Sequence, residues 1–317
     1  MTQVRLSYAY GTSSQPLLGM TIGEKFDQAC QQYANQDAVV SVHQNVRLSY
    51  KQLQAQVNAF ACSLLQLGLE KGDRIAIWSP NCVEWTITQF AAFKAGIILV
   101  NLNPAYKSSE LEYVLNKVSC KALVIAAQFK SSNYQEILTK IAPEITQSTS
   151  KLVSAKRLPH LKHIIKIDED AHAGIHRFAD LLPEPTPVQL DQLQAIAADL
   201  QFDETINIQF TSGTTGNPKG TMLTHNNILN NGYFVGEAIH LTPQDRVCIS
   251  VPLFHCFGMV MGNLACITHG SAMIYPSAVF NPLDTLKAIQ QEKCTAAYGV
   301  PTMFIALLEH EKFDEFD

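Results

Sequence analysis

The sequence lacks any close pairing of its cysteines. None of the eight forms a Cys-x-x-Cys pair, and none has the compact spacing that structural metal sites require. Scattered thiols of this kind are typical of reduced cysteines in a protein core. We therefore predict structural roles, with no metal or redox function, for Cys30, Cys62, Cys82, Cys120, Cys248, Cys256, Cys266 and Cys294.

An excess of positive charge is also missing. The chain has 23 basic and 28 acidic residues, interleaved along its length, for a formal net charge of -5. A protein that binds nucleic acid or anionic lipid by electrostatics needs a basic face. The composition therefore disfavours nucleic acid as a partner.

Long hydrophobic runs are absent as well. The longest apolar stretch, residues 90–102, is interrupted by Lys94 and falls short of the ~20 residues that a membrane helix needs. Residues 1–20 contain one arginine and no apolar run of the kind found in secretory signals. We expect a soluble, cytoplasmic protein without a transmembrane segment.

What is present is an alternation of helical and strand patterns. Apolar residues within 50–67 recur at steps of three and four, which predicts an amphipathic helix. The apolar run 75–78 predicts a buried strand. The alternation continues with strands predicted at 97–100 and 121–126 and a helix at 108–117. This order indicates an α/β protein with a parallel sheet core.

The length of the chain favours more than one hydrophobic core. Single cores usually stop growing near ~250–300 residues, so 317 residues predict two packed subdomains. Three prolines within 183–187 predict a stretch that is neither helix nor central strand, and they mark a candidate boundary.

The most informative segment is a Gly- and Thr-rich loop after a strand-like run at 206–210. It reads Thr211-Ser212-Gly213-Thr214-Thr215-Gly216-Asn217-Pro218-Lys219-Gly220. Glycines let backbone N–H groups converge on an anion, hydroxyls donate further hydrogen bonds or reach magnesium, and a lysine adds positive charge. The spacing is not that of a Walker loop. Composition alone leaves two interpretations open, a phosphate-binding loop or an ordinary surface turn.

This loop resembles the signature phosphate loop of the adenylate-forming superfamily, which includes acyl-CoA synthetases, luciferases and peptide-synthetase adenylation domains. Residues 251–259 resemble the next motif of that family, and 93–96 with 103–104 resemble the preceding one. Within the family, the chain is most similar to medium-chain fatty acyl-CoA synthetases. That similarity depends on residues 16–23, on 78–81 with Glu84 and Trp85, and on 101–106.

The resemblance implies a fold and a domain organisation. We expect the incomplete large N-terminal domain of the acyl-CoA synthetase/luciferase-type fold, with two β-sheet subdomains sandwiched by helices and the C-terminal domain absent. Residues 1–317 would form this AMP-binding domain. A phosphate-loop subdomain would span about 75–235, and a second subdomain would combine about 20–74 with 236–317.

The resemblance also implies an activity that needs no protein nucleophile. A fatty acid carboxylate would attack the α-phosphorus of ATP, pyrophosphate would leave, and coenzyme A would capture the acyl-adenylate. Lys219 would neutralise charge on the departing pyrophosphate, and magnesium would contact Thr214. The residues that wrap the β- and γ-phosphates would be Thr211, Ser212, Gly213, Thr214, Thr215 and Gly216.

The same comparison assigns roles around the acyl group. His255 would border the substrate carboxylate and the path of the incoming thiol, as a gating or positioning group rather than a general base. Gly258 would leave room for an acyl chain, so a bulky residue there should shorten the preferred chain. The predicted wall of the acyl pocket, which could equally be ordinary core, is Phe257, Gly258, Met259, Val300, Thr302 and Met303.

Relatives in this family extend well beyond the point at which this sequence stops. The segment that holds adenine, the ribose-binding aspartate, the hinge and the domain with the catalytic lysine would all be missing. We therefore expect this chain alone to complete neither half-reaction, and a partner chain could supply the rest. Two alternatives stay open: a non-catalytic nucleotide- or acyl-binding remnant or subunit of a split enzyme, and an adenylation domain that feeds a carrier protein.

The role assigned to Lys219 can be tested by substitution. In the complete enzyme, Lys219→Ala should cut acid-dependent pyrophosphate formation far more than it weakens fatty acid binding, because the resemblance implies that the lysine would face the leaving group. Pyrophosphate release and fatty acid binding would be measured side by side. An unchanged rate of release would remove this role from Lys219.

Overall fold

The computed structural model describes residues 14–147, 150–168, 174–211 and 217–316. Its strands, in chain order, are β1 (Asp37–Ser41), β2 (Val46–Ser49), β3 (Arg74–Trp78), β4 (Ile98–Asn101), β5 (Ala122–Ile125), β6 (Gln128–Phe129), β7 (Ser132–Asn133), β8 (His163–Lys166), β9 (His176–Arg177), β10 (Thr205–Thr211), β11 (Lys219–Thr224), β12 (Arg246–Ile249), β13 (Ala272–Tyr275) and β14 (Ala296–Tyr298).

The helices surround and separate these strands. They are α1 (Ile22–Gln32), α2 (Tyr50–Gln66), α3 (Val83–Lys94), α4 (Ser108–Lys117), α5 (Tyr134–Ile141), α6 (Glu144–Gln147), α7 (Pro187–Asp199), α8 (His225–Ala238), α9 (Ala265–His269), α10 (Pro282–Gln291) and α11 (Pro301–Leu308). Short 3₁₀ turns lie at Ala179–Leu181 and Phe313–Glu315, and a π-helix covers Phe257–Leu264.

Two large sheets organise the described residues. The first has seven strands in the order β11-β10-β4-β3-β5-β8-β9, and it is parallel except for the antiparallel pair β10 and β11. The second has five strands in the order β14-β12-β13-β1-β2, with β2 antiparallel to β1. Residues 74–224 supply the first sheet, whereas the second combines 37–49 with 246–298. The α/β fold with a parallel core is confirmed.

Helix α3 lies between the two sheets. All of its residues except Glu84 are buried, and it packs against β3 and β4 of the first sheet and β1 of the second. Apolar residues of both sheets meet around it in one continuous core. A helix buried on every side reads as apolar all round, which is why its sequence shows little amphipathic pattern.

The predicted local elements are confirmed where periodicity was clear. Helix α2 begins at a capping box formed by Ser49 and Gln52, and it ends before Gly68, whose φ of +82° favours glycine. The exclusion of helix from 183–187 is wrong at its last residue. Pro187 is the first residue of α7, a position where proline fits because the N–H it lacks would have no partner in the helix.

Polar side chains inside this core form a closed hydrogen-bond network. The Tyr275 hydroxyl lies 2.7 Å from Thr86 Oγ1 and donates to Asn263 Oδ1 at 2.7 Å. The Asn263 amide donates in turn to Gln89 Oε1 at 2.8 Å. Because buried polar groups are costly unless they are hydrogen-bonded, the network ties α3, β13 and the π-helix into one arrangement.

None of the helices in the described part of the chain is both long and apolar enough to cross a membrane. All eight cysteines are free thiols, six of them buried, and Cys256 and Cys294 are partly exposed.

The network predicts a contrast between two tyrosines. Tyr275→Phe should lower the free energy of unfolding by about 1–3 kcal/mol, because Asn263 Oδ1 loses its donor. Tyr298→Phe should leave it unchanged or raise it, since the buried Tyr298 hydroxyl has no hydrogen-bond partner among the described residues. Urea denaturation of both variants checks this, and equal losses would contradict it.

Candidate active site

A cleft opens where the carboxyl ends of β4 and β10 meet the segment after β12. In parallel sheets, ligands bind in crevices at this end of the strands. The cleft has a volume of about 790 Å³. Its lining residues are Asn101, Asn103, Tyr106, Glu110, Gln209, Phe210, Thr211, Pro218, Thr221, Leu223, Phe254, His255 and Cys256.

The predicted phosphate loop closes a β-hairpin at the edge of this cleft. Thr211 is the last residue of β10 and Lys219 the first of β11, and the two pair directly in the antiparallel register. Both residues are exposed. The structure therefore brings the two ends of the predicted loop together. The predicted phosphate contacts Ser212, Gly213, Thr214, Thr215 and Gly216 lie outside the described residues.

His255 reaches the same cleft from the second sheet. Its ring is exposed, and its Nδ1 accepts a hydrogen bond from the backbone N–H of Phe257 at 3.2 Å. A backbone amide can only donate, so Nδ1 carries no proton and the neutral ring bears its proton on Nε2. In this arrangement His255 offers the cleft a hydrogen-bond donor. That favours a positioning or gating role over a general base.

The charges at the cleft include an acid that the sequence did not single out. Glu110 lies in the first turn of α4, where its own backbone N–H and that of Lys107 hold the pKa of its carboxyl below the usual value. It is therefore anionic at neutral pH. The signal was present in the sequence, since an acid three residues into a helix is typical of a capped N-terminus.

The predicted acyl-pocket residues are divided between several surroundings. Phe257 packs edge to face on Tyr298, with ring centroids 5.4 Å apart, and Met259 is fully buried. Val300 and Thr302 are exposed at the start of α11. Met303 lines a second, more apolar cavity of about 390 Å³. Phe254 lines this second cavity as well as the cleft.

The expectation that Gly258 leaves room for an acyl chain is wrong. A Cβ at this position would lie 2.4 Å from the carbonyl oxygen of Pro252 and 2.8 Å from the Cα of Leu253. Gly262 has a less severe contact, since its Cβ would lie 3.0 Å from Cδ1 of the Ile249 side chain. Gly258 lets the π-helix pack closely on the segment before His255, so its small size serves packing and opens no space.

Three buried amide side chains near the cleft were missed by the sequence analysis. They are Asn101 at the end of β4, and Asn207 and Gln209 on β10. A signal was available, because polar residues interrupt strands that are otherwise apolar. Buried amides are retained where they have hydrogen-bond partners.

Comparisons with known proteins identify the family of this chain. A family model described as "AMP-binding enzyme" matches residues 26–317. The chain is 42% identical over 316 residues to the medium-chain acyl-CoA ligase ACSF2, mitochondrial, of Macaca fascicularis, covering 98% of this chain and 51% of that protein. It is 41% identical over 301 residues to the putative acyl-CoA synthetase YngI of Bacillus subtilis (strain 168), covering 95% and 55%.

Solved structures of two enzymes share the fold. The anthranilate CoA ligase AuaEII in complex with anthranoyl-AMP matches with a TM-score of 0.80 and 25% identity, covering 96% of this chain and 54% of that one. A Mycobacterium tuberculosis fatty acyl CoA synthetase matches with a TM-score of 0.76 and 22% identity, covering 94% and 52%. The chain thus spans about half the length of the relatives it matches.

The packing around Gly258 gives a prediction that replaces the earlier one. Gly258→Ala should lower the free energy of unfolding by about 1–3 kcal/mol through overpacking, because its Cβ meets backbone that cannot turn away. Gly19→Ala is the matched control, since no atom lies within 4 Å of its Cβ. Thermal unfolding of both variants measures the effect. A stable Gly258→Ala protein with a shorter preferred acyl chain would restore the pocket interpretation.

Proposed function

The chain belongs to the AMP-binding enzyme family, and from that membership we propose that it forms the nucleotide- and acyl-binding part of an ATP-dependent fatty acyl-CoA synthetase. The reaction would join a carboxylic acid to AMP with release of pyrophosphate, and then transfer the acyl group to coenzyme A. The medium-chain preference is proposed from relatives whose names specify it.

The observation that carries this proposal is the meeting of two sheets at one cleft. The Thr211 and Lys219 pair comes from the first sheet, and His255 comes from the second. The reaction needs a polyphosphate and a carboxylate side by side, and it needs groups that orient them more than it needs a nucleophile. A cleft with a loop for phosphates on one wall and a hydrogen-bond donor on another supplies both.

Each residue then has a separate task. The Thr211 hydroxyl and the predicted loop contacts Ser212, Gly213, Thr214, Thr215 and Gly216 would bind the β- and γ-phosphates. The Lys219 ammonium would stabilise the negative charge that collects on pyrophosphate as the bond to the α-phosphorus breaks. The Nε2–H of His255 would donate to the substrate carboxylate and orient it, because Nδ1 is already engaged by Phe257.

Magnesium fits the chemistry of this cleft. When bound with ATP it would neutralise charge on the phosphates, and it prefers oxygen ligands. Glu110 and Thr211 both line the cleft and offer such oxygens. The contact predicted for Thr214 lies outside the described residues.

The acyl group would extend away from His255 toward the second sheet. We propose that Phe257, Met259, Val300, Thr302 and Met303 contribute to its binding. Phe257 and Tyr298 form an aromatic wall, and Met303 lines the apolar cavity on the far side of Phe254. Gly258 would act indirectly, by letting the π-helix pack against Pro252.

Further polypeptide of the kind present in the other half of the relatives would complete the site. In support of this, α11 leaves apolar side chains exposed beside β14, the edge strand of the second sheet in the described part of the chain. The exposed fractions are 40% for Val300, 41% for Phe304, 50% for Ile305 and 63% for Leu308. An exposed apolar face of this kind is typical of a surface that packs against further polypeptide, in the same chain or in a partner chain.

Location is proposed from sequence alone. We propose a cytoplasmic protein, although several relatives are described as mitochondrial.

The decisive measurement is acid-dependent pyrophosphate release by the complete protein that carries this chain. We expect release with ATP, magnesium and medium-chain fatty acids, and formation of acyl-CoA when coenzyme A is added. ATP binding without release in any acid would favour the non-catalytic remnant or split-subunit alternative. Transfer to a carrier protein in preference to coenzyme A would favour the adenylation-domain alternative.

A further inference from the structure

The segment that carries His255 is anchored by amide side chains from outside the second sheet. Asn81, in the loop after β3, donates to the carbonyl of Val251 at 2.9 Å and accepts from the N–H of Leu253 at 2.8 Å. These two bonds fix the first half of the segment. The residues next to His255 need other partners.

Asn101 supplies the anchor immediately before His255. Its side chain is 2% exposed, and its amide nitrogen donates to the carbonyl of Phe254 at 3.0 Å. The same nitrogen lies 3.4 Å from Sδ of Met259 in the π-helix. One amide therefore contacts the chain on both sides of His255.

Asn101 is itself oriented by the strand that leads to the phosphate loop. Asn207 on β10 donates to Asn101 Oδ1 at 3.0 Å and to the carbonyl of Leu99 at 2.8 Å. Because the acceptor end of Asn101 faces Asn207, its donor end must face Phe254. The first sheet thus fixes the orientation of the Asn101 amide, and this amide in turn holds the segment that follows β12 of the second sheet.

A second contact holds the chain immediately after His255. The Cys256 thiol donates to Gln209 Oε1 at 2.9 Å. Gln209 lies two residues before Thr211 on β10, and Asn207 four residues before it. The residues on either side of His255 are therefore tied to β4 and to the strand that ends at the predicted phosphate loop.

We propose that Asn101 is a positioning residue for the reaction. By holding the Phe254 carbonyl, it keeps the His255 ring in the cleft beside Thr211, in the orientation in which Nε2–H can meet a substrate carboxylate. This inference rests on the proposed function for its catalytic consequence, whereas the hold on His255 is a property of the folded protein. If Asn101 had only a structural role, it would stabilise the fold without influencing the orientation of the His255 ring.

The first test observes the ring directly and needs no substrate. Long-range ¹H–¹⁵N spectra of the protein report the tautomer of each histidine, and His255→Gln identifies the signal of His255. We expect the Nε2–H tautomer in the unmodified protein, and a shifted signal with mixed tautomers in Asn101→Leu. Asn230→Leu is the matched control, because Asn230 is also buried and hydrogen-bonded to backbone, at Leu18 and Asn226. It should leave the His255 signal unchanged.

The second test is kinetic and uses the complete protein. Asn101→Leu should lower kcat for acid-dependent pyrophosphate release by about 10- to 100-fold, the cost of a misplaced orienting group. The KM for ATP should stay within about twofold, because the phosphate-binding residues are untouched. In a His255→Ala background the same substitution should cost almost nothing further, since Asn101 acts through His255.

A folding defect is separated from a positioning defect by a second variant. Asn101→Asp keeps the size of the side chain and an acceptor for Asn207, but in its ionised form it replaces the donor to Phe254 with a carboxylate oxygen that repels the Phe254 carbonyl. It should shift the His255 signal as Asn101→Leu does. An unchanged signal in a folded variant, or fully additive losses with His255→Ala, would overturn the proposal. A shifted signal in a protein that releases no pyrophosphate would refute the reaction and support the hold of Asn101 on His255.

Discussion

The burial of α3 between two sheets is the constraint on which the rest of this structure depends. A helix surrounded on all sides cannot direct its polar residues to water, so Thr86 and Gln89 must find partners within the core. Their partners, Tyr275 and Asn263, come from the second sheet and the π-helix. Lys94 at the end of α3 is likewise held by Asp27 at 2.6 Å and Asn58 at 2.8 Å. Providing hydrogen-bond partners for the polar residues of this one helix therefore fixes how the two sheets lie against each other.

The cleft is a consequence of that arrangement. The proposed reaction needs a phosphate-binding loop and a donor to the carboxylate, and the candidates for these two roles come from different sheets. The hairpin of β10 and β11 belongs to the first sheet, and His255 follows a strand of the second. Any change that slides one sheet along α3 would separate Lys219 from His255 without altering either residue. Buried amides at the junction, such as Asn101, therefore connect the two halves of the site as well as line the cleft.

The sequence predicts those parts of the fold that local periodicity and capping decide. The helix at 108–117 has the bounds predicted for it. The sequence could not reveal the π-helix, whose Asn263 donates to Gln89, 174 residues away. The error over Gly258 has the same origin. A glycine in a motif indicates close approach, but only tertiary structure says whether a ligand or the chain itself approaches.

The motifs of the candidate site could be recognised in the sequence, but the hydrogen bonds that link its residues could not. Lys219 and His255 follow from the resemblance to a family, and both lie near the cleft edge. The division into subdomains near 75–235 remains a prediction, although the strands of each sheet come from separate stretches of chain. Asn101, Asn207 and Gln209 carry no motif. The hydrogen bonds of Asn101 and Asn207 span more than a hundred residues of sequence, and that of Gln209 with Cys256 spans 47, so local patterns hold no information about them.

The charges of the cleft give a physical reason for the glycines in the predicted phosphate loop. The proposed triphosphate would bring several negative charges to a site that includes Lys219 at the hairpin and the anionic carboxylate of Glu110. His255, with Nδ1 engaged by Phe257, adds a donor and no positive charge in its neutral form. One lysine cannot balance such a ligand, so under the proposed function backbone N–H groups and a bound cation would have to supply most of the stabilisation. A segment rich in glycine and threonine suits that proposed role.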